Sequence, residues 1–444
     1  MAIEKAKSTE LVEKSFVHYL PVVIIGVLIC GVPSAILNSC AGIYYPVMAE
    51  DFGVPVSQIS LWRTLDYITG IIASPIAGIW LAKRNPKLVI LIAAAVESLV
   101  FVGFGMAPEL WMVWVLGAIA GVTNAVMLGV GVAAIMNMWF RSSTGLIIGI
   151  CTAFTGFGGM LFSPIGQMLI DQGGWRFSYT TLGILSLIVM VIGVCVFMKS
   201  RPEDHGMLPF GAAKAAAKAA AEAGKEQVIV PSVRPSVARK SWIFWAIILF
   251  GFLINTVCNI NAYFASYVVW FNSQDAVIAG AVAGAFVTGA ELTAFNSFGN
   301  AAGKVGLGLF SDVNLRNAII VLCGCGMVGL ALMWQFPNSV LLPIGGVLMG
   351  AFIAAVLVIM PMTVRAAFGD GASFPIIWSN IGMSLGLGGA CGSYIWGFIS
   401  ENFGGYSGVF GVALVCMVVL LIVGLVVYKH RDTLPREELT EEDL

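Results

Sequence analysis

FNSFGNAAGKVGLGLFSD, running from Phe295 to Asp312, is an apolar, glycine-rich stretch with a single lysine, Lys304, in its interior. A cation at the centre of a spanning helix costs about 2.5–3.5 kcal/mol on insertion scales. Such a charge persists where it faces a water-filled cavity or binds something. Asn300 lies four residues before Lys304 and Ser297 seven, which puts all three on one helical face. An ammonium flanked by an amide and a hydroxyl has the chemistry of a carboxylate anchor. The competing reading is a structural lysine that snorkels or is salt-bridged. At 1.5 Å per residue, Lys304 is about 12 Å from Asp312 in the following turn, near the middle of a hydrocarbon core about 30 Å thick.

This stretch is the eighth of twelve long apolar segments. They start near Tyr19, Ser57, Leu88, Leu110, Gly145, Ser178, Trp242, Ile278, Asn317, Val340, Phe374 and Val409. The chain is 59% hydrophobic and only 11% charged, against about 25% charged in soluble proteins. An all-α membrane protein with twelve transmembrane helices is therefore expected. The first fifteen residues are polar, with Lys5, Lys7 and Lys14, and lack the order of a cleaved signal peptide, so the first segment should be retained. Basic residues concentrate on one side: Lys83, Arg84, Lys87, Arg141, those between Lys199 and Lys240, Arg316, Arg365, Lys429, Arg431 and Arg436. By the positive-inside rule both termini are expected in the cytoplasm, with the protein in the cell membrane.

Composition also narrows the chemistry. The nine cysteines lie in apolar runs and read as packing residues, and the three histidines (His18, His205, His430) fall outside the spans. Neither a metal cluster nor a cofactor site can be assembled from these residues, and no constellation of an enzyme is present. Glycines of segment 5 (Gly156, Gly158, Gly159) and segment 11 (Gly386, Gly388, Gly389, Gly392) lack the Gly-Lys-Ser/Thr of a phosphate loop and read as close helix packing. Nothing points to nucleic acid. The expected partners are the lipid bilayer, a small organic anion, and protons or a counter-anion.

The segments divide six and six: a tail at 1–15, a bundle at 16–199, a polar linker at 200–240, a second bundle at 241–428 and a tail at 429–444. Ala212–Gln227 in the linker, AAKAAAKAAAEAGKEQ, reads as a solvated tether with helical propensity. Two pseudo-symmetric six-helix bundles around a midplane site fit this layout. Gly78 followed by Lys83, Arg84 and Lys87 after segment 2 is echoed by Gly308, Asp312 and Arg316 after segment 8.

On these residues the chain resembles the major facilitator superfamily, whose loop signature is GxxxD followed by basic residues. NMWFRSSTGLIIG from Asn137 to Gly149, GWRFSY from Gly174 to Tyr179 and RPEDHGMLP from Arg201 to Pro209 are similar to stretches of its monocarboxylate and oxalate–formate branch. The resemblance implies alternating access between two bundles, gated by the loops at Gly78–Lys83 and Gly308–Arg316. It also implies that segments 1, 4, 7 and 10 line the cavity. Branch members carry an arginine in N-x-x-x-R-x-x-x-G on helix 8 that contacts the substrate carboxylate; here the frame is Asn300, Lys304, Gly308. Arginine grips a carboxylate with two parallel hydrogen bonds, whereas lysine is a compact point charge able to lose its proton. Oxalate carriers have a second cation in helix 11, but Phe374–Ile399 contains none. One cation and an aliphatic wall before Met360 favour a monoanion with a carbon body.

Other polar residues in the spans complete the candidates. Glu97 in segment 3 is either a proton carrier or a protonated carboxyl bonded to a neighbouring helix. Arg63 and Asp66 read first as an interfacial i,i+3 ion pair near the outer end of segment 2, and Glu291 as part of the outer vestibule. With Glu97, the carboxylates Asp66 and Glu291 are the proton-coupling candidates. Tyr44 and Asn38 could contact substrate from the first bundle. Asn255 and Asn259 either line the cavity or glue helices together, and Trp378 is either a cavity aromatic or a core residue. The resulting expectation is a secondary transporter of a monocarboxylate-type anion, by proton symport or anion exchange. The alternative is an amphiphile efflux pump, weakened by Lys304 and by GFGGMLFSP in segment 5, where the antiporter pattern has Gly-Pro before its glycines.

Overall fold

A computed structural model describes residues 12–212, 231–278, 287–309, 314–336, 340–354, 356–369, 371 and 373–437. Among them, nine helices are long and apolar enough to cross a bilayer. One of these, Thr144–Phe197, has 54 residues, about 80 Å if straight and far longer than a bilayer core. It turns back at Gly174, whose φ of 79° and ψ of 172° strain any side-chain-bearing residue. Beyond the turn, the Ser178 hydroxyl donates to Gly166 O at 2.9 Å, pinning the two arms together. Two more helices, Gly289–Leu309 and Phe374–Asn402, are richer in glycine and polar residues and pack between their neighbours.

The twelve expected passes are thus α1 (Leu20–Phe52), α2 (Val56–Lys83), α3 (Pro86–Met106), α4 (Leu110–Trp139), α5 (144–173), α6 (175–197), α7 (Trp242–Ile278), α8 (Gly289–Leu309), α9 (Leu315–Gln335), α10 (Leu341–Phe368), α11 (Phe374–Asn402) and α12 (Gly405–His430). The start of α1 and the end of α12 lie on one face, called here the terminal face. Several passes are interrupted where the sequence removes a helical hydrogen bond. Proline at 33 follows a break at Val32 in α1. A π-turn at Ala125–Gly129 widens α4, and a 3-10 turn at Asn259–Tyr263 interrupts α7.

The halves meet along α2–α11, α5–α8 and the distal arms of α1 and α7. Glycine allows the closest approach: a Cβ on Gly156 in α5 would fall 2.5 Å from Ser297 O in α8. Buried apolar side chains form two separate clusters. One joins the second half to the distal part of the first, through Tyr44, Tyr45, Trp62, Tyr263 and Phe264. The other, from Tyr19 and Ile25 to Trp139 and Met207, is confined to the terminal-face part of the first half. Among the described residues, apolar packing between the halves is therefore continuous at the distal face, while the terminal-face part of the first half packs on itself.

The sequence motifs are explained by this frame. Arg176 after the Gly174 turn pairs with Asp51 at 2.5 Å and lies 4.3 Å from the Trp175 ring, clasping the α5–α6 turn to the end of α1. The 201–210 stretch runs across the terminal face. Arg201 donates to Ala82 O at the end of α2, Gly206 takes the left-handed conformation (φ 64°), and Tyr19 Oη donates to Leu208 O. Most of the expected tether at 212–227, and Asp312, lie outside the described residues.

Candidate functional site

Lys304 lies on the face of α8 that meets α5, and its Nζ crosses the seam between the halves. It donates to Thr155 Oγ1 at 2.8 Å and to Thr152 O at 3.2 Å. Thr155 in turn donates its own proton to Thr152 O, so its hydroxyl presents a lone pair to the ammonium. Among the described residues no carboxylate is within ion-pair distance of Lys304. An ammonium has three donors, and two are committed to α5. One turn away, Asn300 Oδ1 is buried without a hydrogen-bond partner among the described residues. Ser297, another turn away, is 3% exposed and packed against Gly159. Two of the three residues expected on this face are chemically available, and the third is mainly a helix contact.

A second polar group fills the first half. Arg63 Nη1 contacts Asp66 Oδ2 at 2.7 Å, and Arg63 Nη2 donates to Asn38 Oδ1. The Tyr67 ring lies 5.0 Å from the guanidinium. Arg63 is 5% exposed and Asp66 2%. Asp66 is ten residues into α2, about 15 Å from its distal end. The expectation of an interfacial pair is thereby corrected: the break in α1 at Val32 and a second at Ser39 set Asn38 where it can partner Arg63, so the pair is buried at depth. Glu97 in α3 is fully buried, and neither of its oxygens has a hydrogen-bond partner among the described residues. The nearby Thr123 hydroxyl is spent on Ala120 O at 2.9 Å. The two polar groups approach each other through α1, since Ser39, next to Asn38, donates to Thr155 O at 3.0 Å.

Other expected residues go elsewhere. Tyr44 faces into the first half, its hydroxyl 2.9 Å from Ser178 Oγ and its ring stacked on Tyr179. It is committed to packing α1 on α6 and does not face a cavity. Asn38 likewise serves Arg63, with its Nδ2 donating to Ser34 O at 2.8 Å. Asn255 donates to Leu385 O in α11, and Asn259 accepts from Ser393 and donates to Asn255 O, which is the gluing role. Trp378 is four residues into α11, stacked on Phe374. Glu291 is exposed at the start of α8, where it and Thr288 bond each other's backbone N–H in a capping box. It lines a distal cleft of about 430 Å³ with Gln167 and Asp171. Lys83 ends α2 in the open, Gly78 has free space around its Cα, and Arg316 opens α9 with its N–H on Asn314 Oδ1. Gly308 is in the last turn of α8.

Thr152, Thr155 and Ser39 were not singled out by the sequence, because a hydroxyl residue in a spanning helix gives no signal until the helix it faces is known.

Comparison with known proteins comes to the same architecture. The sequence model of the Major Facilitator Superfamily matches residues 27–295, more than half of the chain. A probable sulfoacetate transporter, SauU, of Cupriavidus necator is 25% identical over 161 residues, 36% of this chain and 37% of that one. Human monocarboxylate transporter 11 is 24% identical over 164 residues, 37% and 35% of the two chains. Multidrug resistance protein MdtG of Escherichia fergusonii is 26% identical over 166 residues, 36% and 40%. Each match spans well under half the length of the curated relative. Among solved structures, a point mutant of the nucleoside transporter NupG superposes with a TM-score of 0.69 at 12% identity, covering 93% of this chain and 100% of that one.

Proposed function

We propose, for a chain that belongs to the Major Facilitator Superfamily, secondary transport of a small organic monoanion of the monocarboxylate type by alternating access. The observation that carries this reading is Lys304: a cation in the seam between the halves, with no carboxylate partner among the described residues. The Asn300 side chain lies one turn away on the same face. A carboxylate accepts from the free Lys304 donor and from the Asn300 Nδ2 amide. The protein sits in the cell membrane with both termini cytoplasmic, so that the terminal face looks inward. Likeness to sulfoacetate and monocarboxylate transporters supports an anionic substrate. The partnerless Glu97 carboxyl and the Asp66–Arg63 pair are the proton-carrying groups if transport is symport; exchange of anions needs neither.

Efflux of apolar amphiphiles is the second reading, favoured by likeness to MdtG. Thermal stabilisation of the purified protein by a panel of carboxylates, with Lys304→Ala alongside, separates the two. A monocarboxylate that raises Tm in the native chain and not in the variant supports the anchor. Stabilisation by cationic or neutral amphiphiles alone, equal in both proteins, overturns it.

A further inference from the structure

We infer that the turn between α2 and α3, together with the exit of α6, binds the headgroup of an anionic phospholipid in the leaflet at the terminal face. The inference does not depend on what Lys304 binds.

Four cations meet at this turn. Lys83 and Arg84 close α2, Lys87 is in the first turn of α3, and Arg201 follows α6. Two of them are held by backbone carbonyls of neighbouring passes. Lys87 Nζ donates to Cys195 O of α6 at 3.0 Å, and Arg201 Nη2 donates to Ala82 O of α2 at 2.5 Å. The terminal-face ends of α2, α3 and α6 are thereby laced together. Both side chains keep donors to spare, since an ammonium has three and a guanidinium five. Lys83 and Arg84 are exposed. Among the described residues no carboxylate is within ion-pair distance of any of the four, although Glu203 and Asp204 follow Arg201 closely in the chain. In the sequence, the turn after α8 carries Asp312 with Arg316, whereas this turn has Ala82 at the matching position and no acid. The excess of positive charge belongs to this turn.

The surroundings favour a lipid over a free ion. Trp80, just before the cations, is 48% exposed, and an indole so placed sits at headgroup level. Beyond the turn α3 and α6 pack side by side, with Ser98 and Ser186 bonded at 2.9 Å. Between that contact and the cations, Leu88 and Ile92 of α3 and Ile188, Ile192 and Val196 of α6 are each more than half exposed. Their spacing of four residues sets them in rows along each helix. A phosphodiester at Arg84 and Lys87 leaves its acyl chains along these rows. Basic pockets between helices at this level hold anionic headgroups. Phosphatidylglycerol suits the site, whereas the quaternary ammonium of phosphatidylcholine meets like charge.

Native mass spectrometry of the full chain, released from micelles doped with phosphatidylglycerol or phosphatidylcholine, tests the site. The native chain should retain phosphatidylglycerol several-fold more than phosphatidylcholine. Each cation near an anionic lipid contributes about fivefold in affinity. Arg84→Ala combined with Lys87→Ala should therefore weaken phosphatidylglycerol binding roughly twentyfold, while Lys87→Arg alone keeps the charge and should match the native chain. Arg239→Ala combined with Lys240→Ala removes two exposed cations from the terminal face of the second half and should change nothing. Equal loss in both double variants would mean diffuse attraction to a basic face and overturns the site. Unchanged binding in the Arg84, Lys87 variant overturns it as well. Glycerol phosphate, which has the phosphate and no chains, should not displace the lipid at millimolar concentration; full displacement overturns the lipid assignment. Failure of every carboxylate in the thermal panel would remove the anchor reading and leave this result untouched.

Discussion

Glu97 is fully buried with neither oxygen paired among the described residues, and that isolation makes one substitution informative. Glu97→Gln preserves volume and polarity and should keep Tm within a few degrees of the native value. If Glu97 carries the coupled proton, the same variant transports without response to an imposed pH gradient; a retained response in proteoliposomes assigns coupling elsewhere. Arg63 behaves oppositely because its partner is charged. Arg63→Ala leaves Asp66 buried without its cation and should cost about 3–5 kcal/mol of stability. Adding Asp66→Ala should restore much of that loss, since no unpaired charge then remains. A double variant no more stable than Arg63→Ala, measured by denaturant or thermal melts, would show that the pair's contribution is packing alone.

At the scale of elements, the α5–α6 turn and the α1–α6 contact carry the next prediction. Tyr44→Phe removes a hydroxyl that bonds only Ser178 within the first half. It should lower stability by about 0.5–1.5 kcal/mol and leave carboxylate affinity unchanged; a tenfold loss of affinity would return Tyr44 to the binding site. Tyr44 also shows where legibility ended. A tyrosine before the loop between the first two helices is visible in the sequence, but which side it faces depends on the breaks at Val32 and Ser39, and those rotate the distal arm of α1. The same breaks supply Asn38 to Arg63, so a pair that looks interfacial by its distance from the start of α2 ends up buried. By contrast, the twelve passes and the lysine at depth could be read directly, because length and a misplaced charge are each local signals. Thr152 and Thr155 were silent, since threonines are unremarkable in a spanning helix until the neighbouring helix is known.

For the whole molecule, the halves are packed together at the distal face, and a polar contact between them adds to the apolar packing there. Glu401, near the end of α11, accepts from Ser57 N at 2.8 Å and Ser57 Oγ at 2.6 Å, capping the first turn of α2 from the opposite half. The carboxylate meets the N–H groups and the positive dipole end of α2, where an anion is stabilised. Hydrogen bonds to a charged group contribute about 1.5–3 kcal/mol, so Glu401→Ala should shift the equilibrium toward the distally open state by about tenfold or more. Spin labels at Gln172→Cys and Asn402→Cys, on the distal ends of α5 and α11, would report this as a second, longer distance absent from the native chain. Glu401→Gln keeps one acceptor without the charge and should fall between the two. An unchanged distance distribution in Glu401→Ala would leave the distal closure to the apolar packing of Tyr45 on Tyr263 and to the close approach of α1 and α7 at Gly42.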